Sequence, residues 1–240
     1  MKISLEKFQN GLEQLEIPYT SQQLDQFLIF YEMLIEKNKV MNLTAITEFE
    51  DVVEKHFLDS LSLVKLVDLK RKYYLLDLGT GAGFPGIPLK IMFPEWKILL
   101  LDSLNKRVLF LREVIGELKL SDISAVHGRA EEMARKPEYR EHFDLCVSRA
   151  VANLSSLSEY CIPFVKPGGK FISYKSGEVE EELDQAKKAI HVLGGTIEKV
   201  EKFTLVDTEF SRSLVQIGKK KKTPKQYPRK AGVPSKDPIK

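Results

Sequence analysis

The chain has 240 residues, of which 43% are hydrophobic and 30% charged, and its formal net charge is +3. This composition is typical of a globular protein and excludes a collagen-like or intrinsically disordered chain. The hydrophobic runs are too short to span a bilayer, the N-terminus does not resemble a signal peptide, and neither cysteine belongs to a zinc-site spacing. We therefore expect a cytoplasmic protein that uses neither a membrane nor a metal.

The charge is unevenly distributed between the body and the C-terminus. Residues 219–240 hold nine Lys/Arg against one Asp, whereas residues 1–218 hold 28 Lys/Arg against 33 Asp/Glu. Four of the eleven prolines also lie in the last 22 residues, which favours an extended and poorly helical tail. A basic tail containing Tyr227 is compatible with nucleic-acid binding, but it is equally compatible with a solvated terminus.

The first 70 residues are predicted to be helical. Apolar residues from Leu24 to Ile35 recur at spacings of three and four, and Thr20 with Gln23 can form a capping box in front of them. A second helix is predicted over Glu48–Val67. We interpret residues 1–70 as an N-terminal helical cap.

From residue 73 onward, apolar strands alternate with helical stretches. The predicted strands are Tyr73–Leu78, Lys97–Asp102, Ile123–His127, Asp144–Ser148, Lys170–Ser173, Thr196–Phe203 and Leu214–Ile217. The predicted helices are Ile87–Phe93, Lys106–Leu118, Asn153–Val165 and Glu180–Leu193. This alternation predicts a doubly wound α/β domain over residues 71–218, with a parallel sheet and an antiparallel pair at one edge, followed by the basic tail at 219–240.

The sequence LLDLGTGAGFPGIPLK, residues 75–90, places three alternating glycines directly after the first strand. A nicotinamide-binding loop of the form G-x-G-x-x-G that starts at Gly79 requires a glycine at position 84, where this chain has Phe84. Asp77 precedes the loop, and its carboxylate would repel a pyrophosphate but could accept hydrogen bonds from an ammonium group. These features indicate a nucleoside with a cationic amino-acid end, which is S-adenosylmethionine, with Gly81 beside its methionine part.

Two later strand ends agree with this ligand. Asp102 ends the second strand, where a carboxylate can accept hydrogen bonds from both ribose hydroxyls. The turn after the third strand contains Ala130 and Glu131, at the position where methyltransferases contact the adenine edge.

Five segments together resemble a known family. They are LLDLGTGAGFPG, DSLNKR (102–107), HGRAEE (127–132), SRAVANL (148–154) and TPKQYPRKAGVPSKDPI (223–239). They look like the bacterial 16S ribosomal RNA guanine-N7 methyltransferases, also called glucose-inhibited division protein B, and NLTAIT (42–47) and HFLDSL (56–61) extend the resemblance into the cap. Thr80 stands where the family commonly has alanine. The resemblance implies a class I methyltransferase with a Rossmann-like sheet, cofactor contacts at Gly79, Phe84, Ala130, Glu131 and Arg149, and a target guanine in the 530 loop.

The residues can be compared with the chemistry of N7 methylation independently of the resemblance. The turn Ser148–Val151 lacks the Asn/Asp-Pro-Pro-aromatic signature of exocyclic amino methylation, and Cys146 and Cys161 fall in apolar segments where a nucleophile is not expected. Guanine N7 has a free lone pair and needs neither device, so we name no catalytic residue and expect catalysis by positioning.

The charged residues allow several roles. Arg149 suits the carboxylate of the cofactor, a substrate phosphate or an ordinary ion pair, and His56 and Asp59 could meet on one helix face. Lys175, past the fifth strand, is a weaker candidate for RNA binding, and the tail supplies the others, which are Lys220, Lys221, Lys222, Lys225, Arg229 and Lys230.

The expected partner is 16S rRNA or the 30S particle, bound by a monomer. The alternatives are a methyltransferase for another RNA or a small molecule, a nicotinamide dehydrogenase, and a non-enzymatic RNA-binding protein.

Overall fold

The computed structural model describes residues 4–206 and 208–240, so the first three residues of the predicted cap lie outside it. A seven-stranded sheet has the order β3-β2-β1-β4-β5-β7-β6. The strands are β1 Tyr74–Leu78, β2 Lys97–Asp102, β3 Ile123–His127, β4 Phe143–Arg149, β5 Val165–Ser176, β6 Gly195–Thr204 and β7 Ser211–Lys219. Strands β1 to β5 pair in parallel, and β7 is antiparallel to both β5 and β6. The predicted doubly wound sheet with an antiparallel edge pair is confirmed.

The helices are α1 Glu6–Gln14, α2 Ser21–Met41, α3 Phe49–Val52, α4 Asp59–Leu61, α5 Gly86–Met92, α6 Asn105–Glu117, α7 Ala130–Met133, α8 Leu154–Cys161, α9 Glu180–Val192 and α10 Val233–Lys236. The predicted capping box is present, because Thr20 Oγ1 accepts a hydrogen bond from the Gln23 amide and the Gln23 side chain accepts one from the Thr20 amide. The predicted helix over Glu48–Val67 is instead a continuous segment, residues 49–65, whose hydrogen bonding changes to a π-helix at Val53–Leu58.

Apolar side chains from each face of the sheet form two separate cores. On one face, cap residues such as Phe27, Phe30 and Phe57 pack with Ile87 and Leu111 of α5 and α6. On the other face, a second core combines strand residues with α7, α8 and α9. Burial on both faces explains why the strands read as continuous apolar runs.

Strand connections leave β1 and β4 in opposite directions, so the carboxyl ends of these two neighbours form the topological switch point of the sheet. In open α/β sheets, ligands bind at this point. The glycine loop begins after Leu78, and Arg149 ends β4, so both lie at this edge.

The tail begins at the opposite edge of the sheet. Ser176, at the carboxyl end of β5, pairs with Arg212 near the start of β7, so Lys219 at the end of β7 lies at the amino edge. From there the tail runs along the face covered by α7 and α8 and reaches the carboxyl edge at α10. Its backbone is largely irregular, as expected of a poorly helical segment. Of the two alternatives left open for the tail, a solvated terminus does not describe residues 223–232, because Glu141, Glu159 and Glu131 of the body accept hydrogen bonds from Thr223, Arg229 and Gly232. Whether residues 1–70, 71–218 and 219–240 are separate units stays a prediction.

Candidate functional site

The glycine loop turns sharply beneath the carboxyl end of β2. Gly79, Gly81 and Gly83 have φ values of 71°, 62° and 104°, which glycine adopts without the steric cost that other residues have. The Gly79 amide donates to Leu101 O at 2.8 Å, and the Gly81 amide donates to Asp102 Oδ2 at 2.9 Å. Two backbone amides of the loop therefore hold it against the end of β2.

Asp77 is completely buried beneath this loop. Its Oδ2 accepts hydrogen bonds from Thr80 Oγ1 at 2.6 Å and from the Gly86 amide at 2.8 Å, while Oδ1 has no hydrogen-bond partner among the described residues. Burial raises the pKa of Asp77 to about 7, although both hydrogen bonds lower it. An unpartnered buried carboxylate oxygen is costly, and a cationic ligand would satisfy it.

Asp102 is also buried but retains accepting capacity. Its Oδ2 accepts from the Gly81 amide and its Oδ1 from the Leu104 amide at 2.8 Å. Arg107 Nη1 also lies 3.5 Å from Oδ2. A carboxylate has about four acceptor sites, so Oδ1 can accept a further hydrogen bond, and Oδ2 can do so where a ligand replaces the long contact with Arg107. This geometry is compatible with the predicted ribose contact.

A cavity of about 260 Å³ opens between the ends of β1, β2, β3 and β4. It is lined by Leu78, Gly79, Leu101, Ser103, Gly128, Arg129, Ala130, Glu131, Val151, Ala152, Tyr160, Gly232 and Ser235. We call it the adenosine-side cavity. Three of the predicted cofactor residues, Gly79, Ala130 and Glu131, therefore share one cavity.

Phe84 and Arg149 meet on the cap side of the loop. The Phe84 ring stacks on His56 with centroids 4.6 Å apart, and the Arg149 guanidinium lies 5.1 Å from the ring centroid. Arg149 Nη1 donates to Asp59 Oδ2 at 2.7 Å, and Arg149 Nη2 lies 3.2 Å from His56 Nδ1. The predicted proximity of His56 and Asp59 is thus organised by Arg149, which joins the cap to β4.

His56 in this cluster is neutral. Burial, followed by the charge of Arg149, lowers the pKa of His56 to about 3. A guanidinium has only donors, so Nδ1 accepts from Arg149; Lys55 O also lies 3.1 Å from Nδ1 but already accepts from Arg149 Nη1, so we assign the ring proton to Nε2, which then donates to Thr44 Oγ1 at 2.8 Å. Sequence reasoning did not find Thr44 or Arg212, whose Nε donates to Asp59 Oδ1 at 3.1 Å. The position of Arg212 could have been inferred from the antiparallel pair predicted at the end of the chain. Arg212 lies near the start of β7, and because β7 is antiparallel to β5, its start lies at the carboxyl edge of the sheet.

A second cavity, of about 530 Å³, lies on the other side of the segment that follows β4. It is lined by Lys55, His56, Asp59, Arg149, Ala150, Tyr174, Lys175, Ser176, Glu178, Glu182 and Arg212. We call it the basic cavity. Residues 149–152 separate the two cavities, since Arg149 and Ala150 line one and Val151 and Ala152 line the other. Lys175 in this cavity is held by Glu182 at 2.6 Å and by Ala152 O at 3.0 Å.

The predicted RNA-binding residues of the tail do not lie together. Lys220 pairs with Glu198 at 2.5 Å, and Lys221 and Lys222 are exposed near it at the amino edge, with Lys225 following. Lys230 is exposed near the carboxyl edge. Arg229 is different, because its guanidinium binds the buried Glu159 carboxylate at 2.7–3.1 Å. That contact assigns Arg229 a structural role that sequence analysis did not predict.

Residues 4–206 and 208–240 lack two further features. They contain no helix long and apolar enough to cross a membrane. Nor does this part of the chain contain a group of three or more His, Cys, Asp or Glu side chains that could hold a metal ion.

Comparison with known proteins identifies the relatives of this chain. Residues 23–214 match the family model GidB, described as rRNA small subunit methyltransferase G. A protein of that name from Lachnoclostridium phytofermentans is 57% identical over 232 residues, covering 97% of this chain and 96% of its own. Another, from Bacillus cereus, is 48% identical over 237 residues, or 99% of each chain.

Solved structures resemble the chain in fold only. NSun6 from Pyrococcus horikoshii, solved with SFG, superimposes with a TM-score of 0.55 at 14% identity, covering 75% of this chain and 57% of its own. TrmN from Thermus thermophilus gives a TM-score of 0.51 at 16% identity, covering 68% of this chain and 48% of its own. These likenesses support the class I methyltransferase fold.

Proposed function

Because the chain belongs to the rRNA small subunit methyltransferase G family, we propose that it transfers a methyl group from S-adenosylmethionine to N7 of a guanine in 16S rRNA. The position in the 530 loop is part of this proposal and derives from the family resemblance. The observation that carries the proposal is the pair of cavities on either side of residues 149–152. One has the features expected for a nucleoside cofactor. The other is lined by four cations, Lys55, Arg149, Lys175 and Arg212, and by three carboxylates, Asp59, Glu178 and Glu182, which leaves a small excess of positive charge for a nucleotide.

The residues around the glycine loop fit S-adenosylmethionine. The unpartnered Asp77 Oδ1 suits a cationic group, Asp102 can accept from two hydroxyls, and the adenosine-side cavity includes Ala130 and Glu131. When bound, the cofactor supplies an electrophilic methyl carbon on its sulfonium. On the cap side of the glycine loop, Phe84 packs against His56 and Arg149, and Arg149 also lines the basic cavity.

The basic cavity suits a nucleotide of RNA. Lys55, Arg149 and Arg212 line it, and Arg149 and Arg212 share the buried carboxylate of Asp59. Arg149 already donates to Asp59, Lys55 O and His56, and Arg212 donates to Asp59 and Ser211 O, so each guanidinium has part of its five N–H donors left for a phosphate. Transfer requires N7 to contact the methyl carbon in line with the sulfur, so the base of a nucleotide held here would have to reach past residues 149–152 to the cofactor. Once the three atoms are aligned, the barrier can fall substantially without a general base.

The cysteine chemistry of pyrimidine-C5 methylation does not suit this site. Cys146 of β4 and Cys161 at the end of α8 are both fully buried in the same core, and burial, followed by the contact with Cys146, raises the pKa of the Cys161 thiol. The thiolate is the nucleophilic form, so these environments disfavour attack on a base. The segment Ser148–Val151 likewise lacks the sequence signature of exocyclic amino methylation. Both observations favour a ring nitrogen with a free lone pair.

The test is to incubate the protein with labelled S-adenosylmethionine and either 30S particles or 16S rRNA from a strain that lacks the modification. We expect one methyl group per RNA, mapped to N7 of a guanine in the 530 loop. Methyl transfer to another RNA position would retain the cofactor assignment and refute the target. Failure to bind S-adenosylmethionine in equilibrium dialysis would refute the proposal as a whole.

A further inference from the structure

The C-terminal segment is fastened to the body by charge-assisted hydrogen bonds along its length. Arg140 donates to the carbonyls of Thr223 and Tyr227, each at 2.9 Å, and Thr223 N donates to Glu141. The Arg229 guanidinium then binds the Glu159 carboxylate, which is 1% exposed. Hydrogen bonds to charged groups are stronger than neutral ones, so this segment is part of the folded body.

Beyond Arg229 the segment reaches the adenosine-side cavity. The Gly232 amide donates to Glu131 Oε1 at 2.8 Å, and the carbonyl of Pro234 accepts from Ser156 Oγ at 2.7 Å. Gly232 and Ser235 line the cavity beside Tyr160 of α8. Glu131 is 6% exposed, and the hydrogen bond from Gly232 fixes one of its carboxylate oxygens. A residue 101 positions later in the chain therefore orients this side chain.

On the opposite wall of the cavity, the residues are packed too closely to accommodate larger side chains. Gly79 is packed so closely against Val151 that a Cβ added at Gly79 would lie 2.5 Å from Val151 Cγ2. The turn after β3 is similarly close-packed, since a Cβ at Gly128 would lie 2.7 Å from Met133 Cγ. Apart from Tyr160 of α8, the part of the lining that does not come from the strand ends and their loops is Gly232 and Ser235, and their position depends on the hydrogen bonds of residues 229–235 to Glu159, Glu131 and Ser156.

We propose that residues 229–235 form a wall of the cofactor site, and that docking of this segment through Glu159 and Glu131 determines the affinity for the cofactor. This inference rests on the proposed function, because it takes the cavity to hold the adenosine of S-adenosylmethionine. It also assigns Arg229 and Gly232 to the cofactor rather than to RNA, whereas the exposed side chain of Lys230 does not line the cavity and stays a candidate for RNA. Docking and cofactor binding are then coupled reciprocally, so that each stabilises the other.

Two glycines in the chain allow a matched test. Gly232 and Gly168 have φ values of +82° and +86°, and for both, an added Cβ would face open space within the described residues. Replacing either with alanine introduces the same backbone strain, but only Gly232 lies at the cavity. Gly168 lies in the amino-terminal half of β5, on the far side of the molecule.

The measurement is the Kd of S-adenosylhomocysteine by calorimetry for the full-length parent, Gly232→Ala, Gly168→Ala and Arg229→Gln. We expect Gly232→Ala and Arg229→Gln to raise Kd by roughly tenfold, within the usual range of coupling between sites, and Gly168→Ala to match the parent. Thermal unfolding of all four proteins identifies any loss due to unfolding. In the parent, the ligand should also slow hydrogen exchange of the amides from 229 to 235.

The outcomes separate the two proposals. Failure of the parent to bind S-adenosylhomocysteine would refute the proposed function and this inference together. Normal affinity in folded Gly232→Ala and Arg229→Gln, with no change in exchange at residues 229–235, would refute the inference alone.

Discussion

At the scale of single residues, Gly81 differs from the other glycines of its loop. A Cβ added at Gly79 or Gly83 would meet Val151 or Ile87 within 2.6 Å, but at Gly81 the nearest atom would be Gly79 O at 4.0 Å. Two of these glycines are therefore required by packing of the protein, whereas the space beside Gly81 is open. Such space fits the expectation that the methionine part of the cofactor lies there.

We expect Gly81→Val to raise the cofactor Kd by more than about 100-fold, a loss of ~3 kcal/mol. A branched side chain would enter the space assigned to the ligand and would also resist a φ of 62°. Gly177→Val is the matched control, because its φ is 59° and an added Cβ there also faces open space in the described structure. Calorimetry showing equal affinity for both folded variants would contradict the assignment of this loop.

Asp77 should make cofactor binding depend on pH. Burial raises the pKa of Asp77 to about 7, so below pH 7 the ligand-free protein is mostly protonated at this carboxyl group. That proton must leave before the Asp77 carboxylate can accept a hydrogen bond from an ammonium group. The affinity for S-adenosylmethionine should therefore increase as pH rises through 7, approaching tenfold per pH unit below that value. Calorimetry from pH 6 to 8 measures this slope, and Asp77→Asn should flatten it. Asp144→Asn, at the amino edge of β4, should leave it unchanged; equal slopes in all three proteins would exclude Asp77 as the titrating group.

At the scale of elements, the junction between the cap and β4 depends on a neutral histidine. Residues 49–65 present His56 to Arg149 of β4, while Thr44 holds the other ring nitrogen. The pKa of His56 is about 3 in the folded protein, against about 6.5 in an unfolded chain. Between about pH 3 and pH 6.5 the unfolded chain binds a proton at His56 and the folded protein does not, so the free energy of unfolding decreases as the pH falls through this range.

We expect the free energy of unfolding to fall more steeply with acidification in the parent than in His56→Gln, by up to ~1.4 kcal/mol per pH unit between pH 6 and pH 5. Asp77 has the opposite effect, since its raised pKa adds stability as pH falls, but it contributes equally to both proteins. Urea titrations at several pH values measure the difference. His191→Gln, on the exposed face of α9, should follow the parent, and identical slopes for His56→Gln and the parent would show that His56 does not titrate on unfolding.

The same elements show how far sequence reasoning extends. The strands were predictable because burial on both faces gives continuous apolar runs, and the glycine loop because positive φ favours glycine. The contact of His56 with Thr44 and Arg149 could not be predicted, since it depends on a change to π-helical bonding and on packing between distant segments. Likewise, the charge of the tail led to the prediction that Arg229 binds RNA, because the sequence does not show that Glu159 is buried beside it.

At the scale of the whole molecule, the positive charges of the tail are divided between two edges of the sheet. Lys220, Lys221 and Lys222 lie at the amino edge, opposite the cavities, while Lys230 lies near the carboxyl edge. A small RNA bound at the basic cavity would not reach both edges, but a large folded RNA or a ribosomal particle can. If these lysines bind RNA, their effect should therefore increase with the size of the substrate.

We expect simultaneous replacement of Lys221, Lys222, Lys225 and Lys230 by glutamine to raise the apparent KM for 30S particles and to leave both the methylated position and the cofactor Kd unchanged. These four side chains are exposed, so their removal should cost little stability. Each lysine that contacts a phosphate displaces counterions from the RNA, so fewer counterions are released on binding when the contact is lost. The slope of log affinity against log salt should therefore become shallower by about 3 for four contacts. A variant with glutamine at Lys39, Lys119, Lys187 and Lys188, exposed elsewhere, controls for net charge and should keep most of the parent slope. If the two variants lose affinity equally, the effect comes from overall charge and the tail lysines make no specific contact. If neither variant loses affinity, RNA binding does not depend on these four lysines.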